Sequence, residues 1–260
     1  MTISVFERYP QLKTLKGLIP DEVVEKEVGS RADDFERLRS VAEKKIPSVR
    51  LCDVFPPELE KGSIQLQNFL GHWGNVSVEE VCKIALIARF LKPKKVFEFG
   101  TYNGMTTLQI ALNTPAEAKV YTLDLPPGIA NRTKFRLKGL DRLVSEEFRA
   151  KFHTGLGSYF KGHPVAGKII QLLGDSATFD YSPFYGQIDL IFIDGAHDYE
   201  NKKSDSENAL KMVAPKGVIL WHDAYAVVNY EVTKYLIELS DRLSLFHLRG
   251  TSLVAYLNRT

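Results

Sequence analysis

The sequence predicts an α/β fold: a doubly wound, mostly parallel sheet with helices on both faces, preceded by a helical N-terminal extension. Three observations carry this. Five short runs are almost wholly apolar: Val96–Phe99, Lys119–Leu123, Ile169–Leu173, Ile188–Ile193 and Val218–Trp221. Strands covered on both faces read this way, and parallel sheets are covered on both faces. Helical patterns alternate with these runs, supplying the crossovers that parallel pairing needs. Finally, Gly250-Thr251 divides Leu243–Leu248 from Ser252–Leu257, which reads as a closing hairpin that adds an antiparallel strand at one edge. The expected division is 1–75 for the extension and 76–260 for the sheet domain.

The elements follow in order. Asp21 to Arg50 is dense in charges of both signs, with Val23, Val24, Phe35, Leu38 and Val41 among them. One or two amphipathic helices with solvated charged faces are expected there. Pro56-Pro57 breaks any helix. Ser77-Val78-Glu79-Glu80 has the form of a helix start, and Val81, Ile84, Ala85, Ala88 and Leu91 continue at helical spacing until Pro93. After the first strand, Gly100–Gly104 is a turn and Met105–Leu112 a helix. Residues 126–168 form a long connection with two helical patterns and a glycine-rich piece. Further helices are expected over about Lys203–Val213 and Val228–Leu239.

Composition narrows the class without naming a function. The chain has 260 residues, 44% of them hydrophobic and 25% charged, as globular proteins have. Lys plus Arg is 34 against 32 for Asp plus Glu, a net charge of +2, which gives no electrostatic case for nucleic acid or an anionic membrane as partner. No uncharged apolar stretch approaches the roughly 18–20 residues of a membrane span, and the first residues do not form a secretory leader. Cys52 and Cys82 make neither a CxxC pair nor a disulfide framework. A cytoplasmic protein with two reduced thiols is expected.

Polar residues gather where the strands end: Glu98, Asp124, Asp175, Asp194, His222 and Asp223. In an open doubly wound sheet that is where ligands bind. The first turn reads Glu98-Phe99-Gly100-Thr101-Tyr102-Asn103-Gly104. Tyr102 occupies the place of the second glycine of a dinucleotide fingerprint, so close approach of a pyrophosphate is hindered and a less anionic ligand is favoured. Asp124 lies at the distance downstream expected of an acid that accepts from ribose hydroxyls. Asp175 and Ser176 suit either an adenine edge or a cap on the next segment.

The runs VFEFGTYNGMTTLQIA, YTLDLPP, GDSATFD, IDLIFIDGAHDYENKKSD and APKGVILWHDA together resemble the class I S-adenosylmethionine-dependent methyltransferases. More narrowly, they are similar to the methyltransferase-domain family with IDGxHxYE and HD signatures. The resemblance covers about residues 76–257 and implies a Rossmann-like sheet. It implies that Gly100, Thr101 and Gly104 contact the methionine and ribose parts of the cofactor, with Glu98 below that turn. Asp124 would hold the ribose and Asp175 the adenine amino group, with Ser176 beside it. A sulfonium cation without phosphate suits a pocket walled by carboxylates and lacking a phosphate loop.

Asp194, His197, His222 and Asp223 fall where the methyl acceptor belongs. Asp194 and Asp223, with His222, could bind a divalent ion such as Mg²⁺ that lowers the pKa of an acceptor hydroxyl. Alternatively, no metal is used: His197 or His222 is the general base, and Asp194 orients it or holds the cofactor's amino group. Asp205 and Glu200 are expected on an exposed helix start. The reaction expected is methyl transfer to an oxygen of a small or sugar-like acceptor, with a homodimer admitted by fold analogy. Two rivals stay open: an NAD(P)-dependent oxidoreductase, which shares the fold and the ribose acid, and a non-catalytic protein that binds an adenosyl ligand.

Overall fold

The computed structural model describes residues 4–16, 19–69, 74–126, 133–136 and 155–259. The chain opens with helices α1 (Val5–Arg8), α2 (Asp21–Gly29) and α3 (Ala32–Lys45). Val24, Val28, Ala32 and Phe35 turn inward and meet Val5, Phe6, Leu12 and Leu15 in a small core, so the two expected amphipathic helices form. A two-residue strand β1 (Ser48–Val49) and a short helix α4 (Leu51–Val54) follow.

Helix α5 (Val78–Leu91) starts as its sequence requires. The Ser77 hydroxyl accepts from the Glu80 amide at 3.3 Å, and the Glu80 carboxylate accepts from the Ser77 amide at 2.9 Å, closing a capping box. Lys92 in the left-handed region ends the helix just before Pro93. Then come β2 (Lys95–Phe99), α6 (Met105–Leu112), β3 (Lys119–Asp124), β4 (Ile169–Leu173), β5 (Ile188–Ile193), α7 (Tyr199–Met212), β6 (Val213–Trp221), α8 (Tyr230–Leu239), β7 (Leu245–Leu248) and β8 (Val254–Leu257). Helix α7 starts earlier than expected, because Asp198 caps it by accepting from the Asn201 amide. Strand β6 runs from Val213 rather than Val218. Ile188 pairs with Val213 and Leu190 with Val218, so Pro215–Gly217 is absorbed as an irregularity within the strand. The two helical patterns read in the 126–168 connection lie largely outside the described residues.

One eight-stranded sheet carries the fold, in the order β1-β7-β8-β6-β5-β2-β3-β4. All pairs are parallel except those made by β8, which is antiparallel to β6 and to β7. The hairpin therefore does not leave an antiparallel strand at the edge, as the sequence had suggested. Strand β8 is inserted between β6 and β7, and the edge is β1 from the extension. The reason lies in β8 itself: Val254 and Ala255 are fully buried, as an inner strand requires.

Side chains alternate between two layers as strand geometry dictates. Phe97, Phe99, Ile191, Ile219 and Trp221 face α7 and α8. Val96, Leu190, Phe192, Val218 and Leu220 face α5 and α6. Leu51, Phe55 and Leu59 of the extension complete this second layer, and α3 packs on α8. The sheet order reverses between β2 and β5, since β2 leads outward through β3 to β4 and β5 leads the other way through β6. A crevice opens outside the carboxyl ends of strands at such a point. Among the described residues, no helix is long and apolar enough to cross a membrane.

Candidate active site

The turn after β2 forms the first wall of the crevice. Gly100 has φ +92°, and a Cβ there would lie 2.3 Å from the Asp194 carbonyl oxygen, so only glycine fits against β5. Gly104 has φ +81° and abuts Phe160. Glu98 lies beneath the turn, fully buried, and accepts from the hydroxyls of Thr107 and Thr122. The Thr122 hydroxyl is 2.7 Å from that of Thr101. Glu98 thus supports the turn from below, the position the resemblance implies for it.

Burial pushes the Glu98 carboxyl up to about 8, against the pull of the two threonine hydroxyls. A raised carboxyl takes its proton preferentially in the folded state. Its stabilisation is complete below the ordinary value of 4.5 and is lost as pH rises through about 8. Melting of Glu98→Gln, followed from about pH 5 to about pH 9, should fall less steeply with pH than that of the wild type. Equal slopes would remove the protonated carboxyl.

Asp124 closes the turn from the β3 side. One oxygen accepts from the amides of Thr101 (3.1 Å) and Tyr102 (2.7 Å), the other from Leu125 (2.7 Å). Asp175 accepts from the amides of Ala177 (3.0 Å) and Lys134 (2.7 Å), so the cap foreseen as one of its two roles is present. The Ser176 carbonyl accepts from the Tyr181 hydroxyl.

The second wall is built from the ends of β5 and β6. His222 Nδ1 lies 2.9 Å from Asp194 Oδ1 and 3.1 Å from Asp223 Oδ2, and its Nε2 lies 3.2 Å from Glu80 Oε2. His197 Nε2 lies 2.7 Å from Asp223 Oδ2. Asp223 has φ +65°, a left-handed conformation that turns the chain sharply off the strand. Burial opposes charge on His222, but Asp194 and Asp223 outweigh it and raise the ring well above the usual histidine range. Burial also opposes charge on Asp223, and His222 and His197 outweigh it and hold the carboxyl well below its usual range. His197 is raised by Asp223 in the same way, against burial.

Both ring nitrogens of His222 thus face carboxylates, Asp194 and Asp223 on one side and Glu80 on the other. The residues whose ligand atoms converge include His197 in its place. One ligand atom each of Asp194, His197 and Asp223 lies within 4.8 Å of the other two. Two carboxylate oxygens and one imidazole nitrogen suit Mg²⁺ or Mn²⁺.

Sequence reasoning also missed three groups. Glu80 looked like a cap and nothing more. Asp205 was expected at an exposed helix start with Glu200; Glu200 is exposed, but Asp205 is 1% exposed and Lys202 fully buried. Counting from the Asp198 cap places Lys202, Asp205, Ser206, Ala209 and Met212 on the face that meets the sheet. Neither the Lys202 Nζ nor the Asp205 carboxylate makes a hydrogen bond among the described residues. Burial pushes Asp205 up to about 7, opposed by the charge of Lys202. No periodicity signal distinguishes such buried charges from solvated ones.

The model of a family described as a methyltransferase domain matches residues 97–224, the stretch from β2 to the end of β6 that holds both walls. The chain carries a methyltransferase domain. The class I S-adenosylmethionine-dependent methyltransferase expected from the sequence is borne out as fold and as enzyme class. Among solved structures, this methyltransferase is similar to cofactor-bound Rv0187 from MTB, at 18% identity and TM-score 0.50, over 72% of this chain and 83% of that one. A methyltransferase from Geobacter sulfurreducens aligns at 15% identity and TM-score 0.50, over 71% and 80%. The O-methyltransferase from Bacillus cereus in complex with SAH aligns at 20% identity and TM-score 0.45, over 72% and 84%. No curated protein matches the chain significantly.

Proposed function

We propose that this methyltransferase moves the methyl group of S-adenosylmethionine to a hydroxyl of a small, polar acceptor. The observation that carries this is the convergence of Asp194, His197 and Asp223 at the ends of β5 and β6, against the Gly100 turn. Methyl transfer needs the acceptor oxygen aligned behind the methyl group and stripped of its proton. Asp194 stands at the boundary between the two halves: its carbonyl is packed under Gly100, and its carboxylate meets His222. Asp194, His197 and Asp223 would hold a divalent cation, which when bound supplies Lewis-acid charge that lowers the pKa of a hydroxyl. His222, set between Asp194, Asp223 and Glu80, helps to hold their oxygens in place.

One observation favours a second, metal-free route. His197 Nε2 is paired with Asp223 at 2.7 Å, which leaves Nδ1 as the nitrogen able to take the acceptor proton while Asp223 stabilises the imidazolium. Protein dialysed against EDTA separates the two in an S-adenosylhomocysteine release assay over a panel of small hydroxylated acceptors. Activity restored by Mg²⁺ or Mn²⁺ supports the cation, and activity without metal supports the pair. Oxygen acceptors that are never methylated, while S-adenosylmethionine binds, would overturn O-methyl transfer.

Cofactor choice has a simpler test. A ligand at about 100 times its dissociation constant adds about 2.7 kcal/mol. At about 2–4 °C per kcal/mol, S-adenosylmethionine or S-adenosylhomocysteine should raise the melting temperature by about 5–10 °C. NAD should leave it unchanged. Stabilisation by NAD alone would restore the oxidoreductase reading.

A further inference from the structure

We propose that Glu80 is a positioning residue of the acceptor site: its carboxylate clamps the His222 ring, and through it Asp194, while bracing the backbone of Asp223. This rests on the reading of Asp194 and Asp223 as the acids of the acceptor side.

Glu80 does more than a helix cap requires. The capping box is complete once Oε2 accepts from the Ser77 amide. The same oxygen also accepts from the Ser77 hydroxyl at 2.8 Å and faces His222 Nε2 at 3.2 Å. The other oxygen accepts from the Ser252 amide at 2.8 Å and its hydroxyl at 2.7 Å. Ser252 Oγ in turn accepts from the Asp223 amide at 3.1 Å. Five donors, two from the adjoining Ser77 and three from the distant His222 and Ser252, converge on one carboxylate that is 6% exposed. Only a carboxylate accepts on both oxygens without donating, so an amide cannot reproduce the set.

The geometry gives the clamp a function. His222 Nδ1 meets Asp194 on one side of the ring, and Glu80 meets Nε2 on the other, so the carboxylate fixes the ring's orientation toward Asp194. Asp223 sits in a left-handed conformation that persists only where its surroundings fix it, and the Glu80–Ser252 link supplies one such tie. A neutral side chain at position 80 would leave the helix capped in part, the ring free to turn and the two acids less well placed.

Three variants of the full chain separate this from plain capping: Glu80→Gln, Ser77→Ala and Ser252→Ala. Each is followed by thermal melting, by ¹⁵N-histidine NMR of the ring N–H signals, by Mn²⁺ binding with electron paramagnetic resonance, and by calorimetric binding of S-adenosylhomocysteine. Ser77→Ala should melt a few degrees lower and keep the protected His222 signal and the Mn²⁺ affinity within twofold. Glu80→Gln should lose the protected signal and bind Mn²⁺ at least fivefold more weakly, with S-adenosylhomocysteine affinity within twofold. Ser252→Ala, which leaves the cap intact, should weaken Mn²⁺ by a smaller factor and serves if Glu80→Gln does not fold. Wild-type signal and Mn²⁺ affinity in Glu80→Gln, or equal losses in Ser77→Ala, would overturn the clamp. If the wild type binds no Mn²⁺, the cation reading fails by itself and the ring signal alone decides the clamp.

Discussion

Asp223→Asn is expected to lower methyl transfer at least about 100-fold, in the range seen when a positioned acid–base group is lost, while the protein still folds. Asparagine is the substitution that isolates charge here. It tolerates the left-handed backbone that Asp223 adopts, so the turn off β6 survives. What goes is the anion shared by His197 and His222. With it goes the charge that the cation route needs in a ligand and the base route needs in a partner, so both routes forecast the same loss. S-adenosylhomocysteine release measures it, and more than a tenth of wild-type activity in Asp223→Asn would remove the residue from the active centre. Mn²⁺ binding distinguishes the routes in the same variant: it weakens only if Asp223 is a ligand.

Gly100→Ala should have the largest effect on the cofactor. The added Cβ meets a backbone oxygen at 2.3 Å, so no side chain can swing aside. The left-handed φ adds about 1–2 kcal/mol for any residue with a Cβ. Relief requires the ends of β2 and β5 to separate, which deforms both walls of the crevice at once. The dissociation constant for S-adenosylhomocysteine should rise at least about 100-fold, or about 2.8 kcal/mol, by calorimetry. Gly104→Ala is the informative comparison. Its Cβ would meet the Phe160 ring at 2.5 Å, and a ring can shift, so a smaller loss is expected. Equal affinities in wild type and Gly100→Ala would mean that the cofactor does not depend on this turn.

The sequence made these two glycines look equivalent, and that marks where its legibility stops. Strands β2 to β5 were readable to within a residue: burial on both faces leaves few polar positions in β2 and β5, and β4 keeps an apolar run although it is only half-buried at the sheet edge. The start of α5 was readable because a capping box is local. The gathering of acids at the strand ends was legible, although Asp124 and Asp175 also take backbone amides there. Roles within the set were not. His222 and His197 are alike as sequence, and only the structure sets one ring among three carboxylates and the other against Asp223. Lys202 and Asp205 carry the polarity of a surface and occupy the face of a core helix. Strand β8 looked terminal because it comes late in the chain, whereas its neighbours are set by tertiary contact.

That position of β8 has a consequence for how the molecule is made. Its residues, Val254–Leu257, hydrogen-bond to β6 on one side and to β7 on the other, and β1 is held only by β7. During synthesis from the amino end, β6 and β7 can emerge and still have no strand to join them. Strand β1, made long before β7 and β8, then waits on both for its place in the sheet. Such long-range closure slows folding and lengthens the time for which apolar edges stand open. The half-assembled sheet, more than the finished one, is the form that a chaperone would meet.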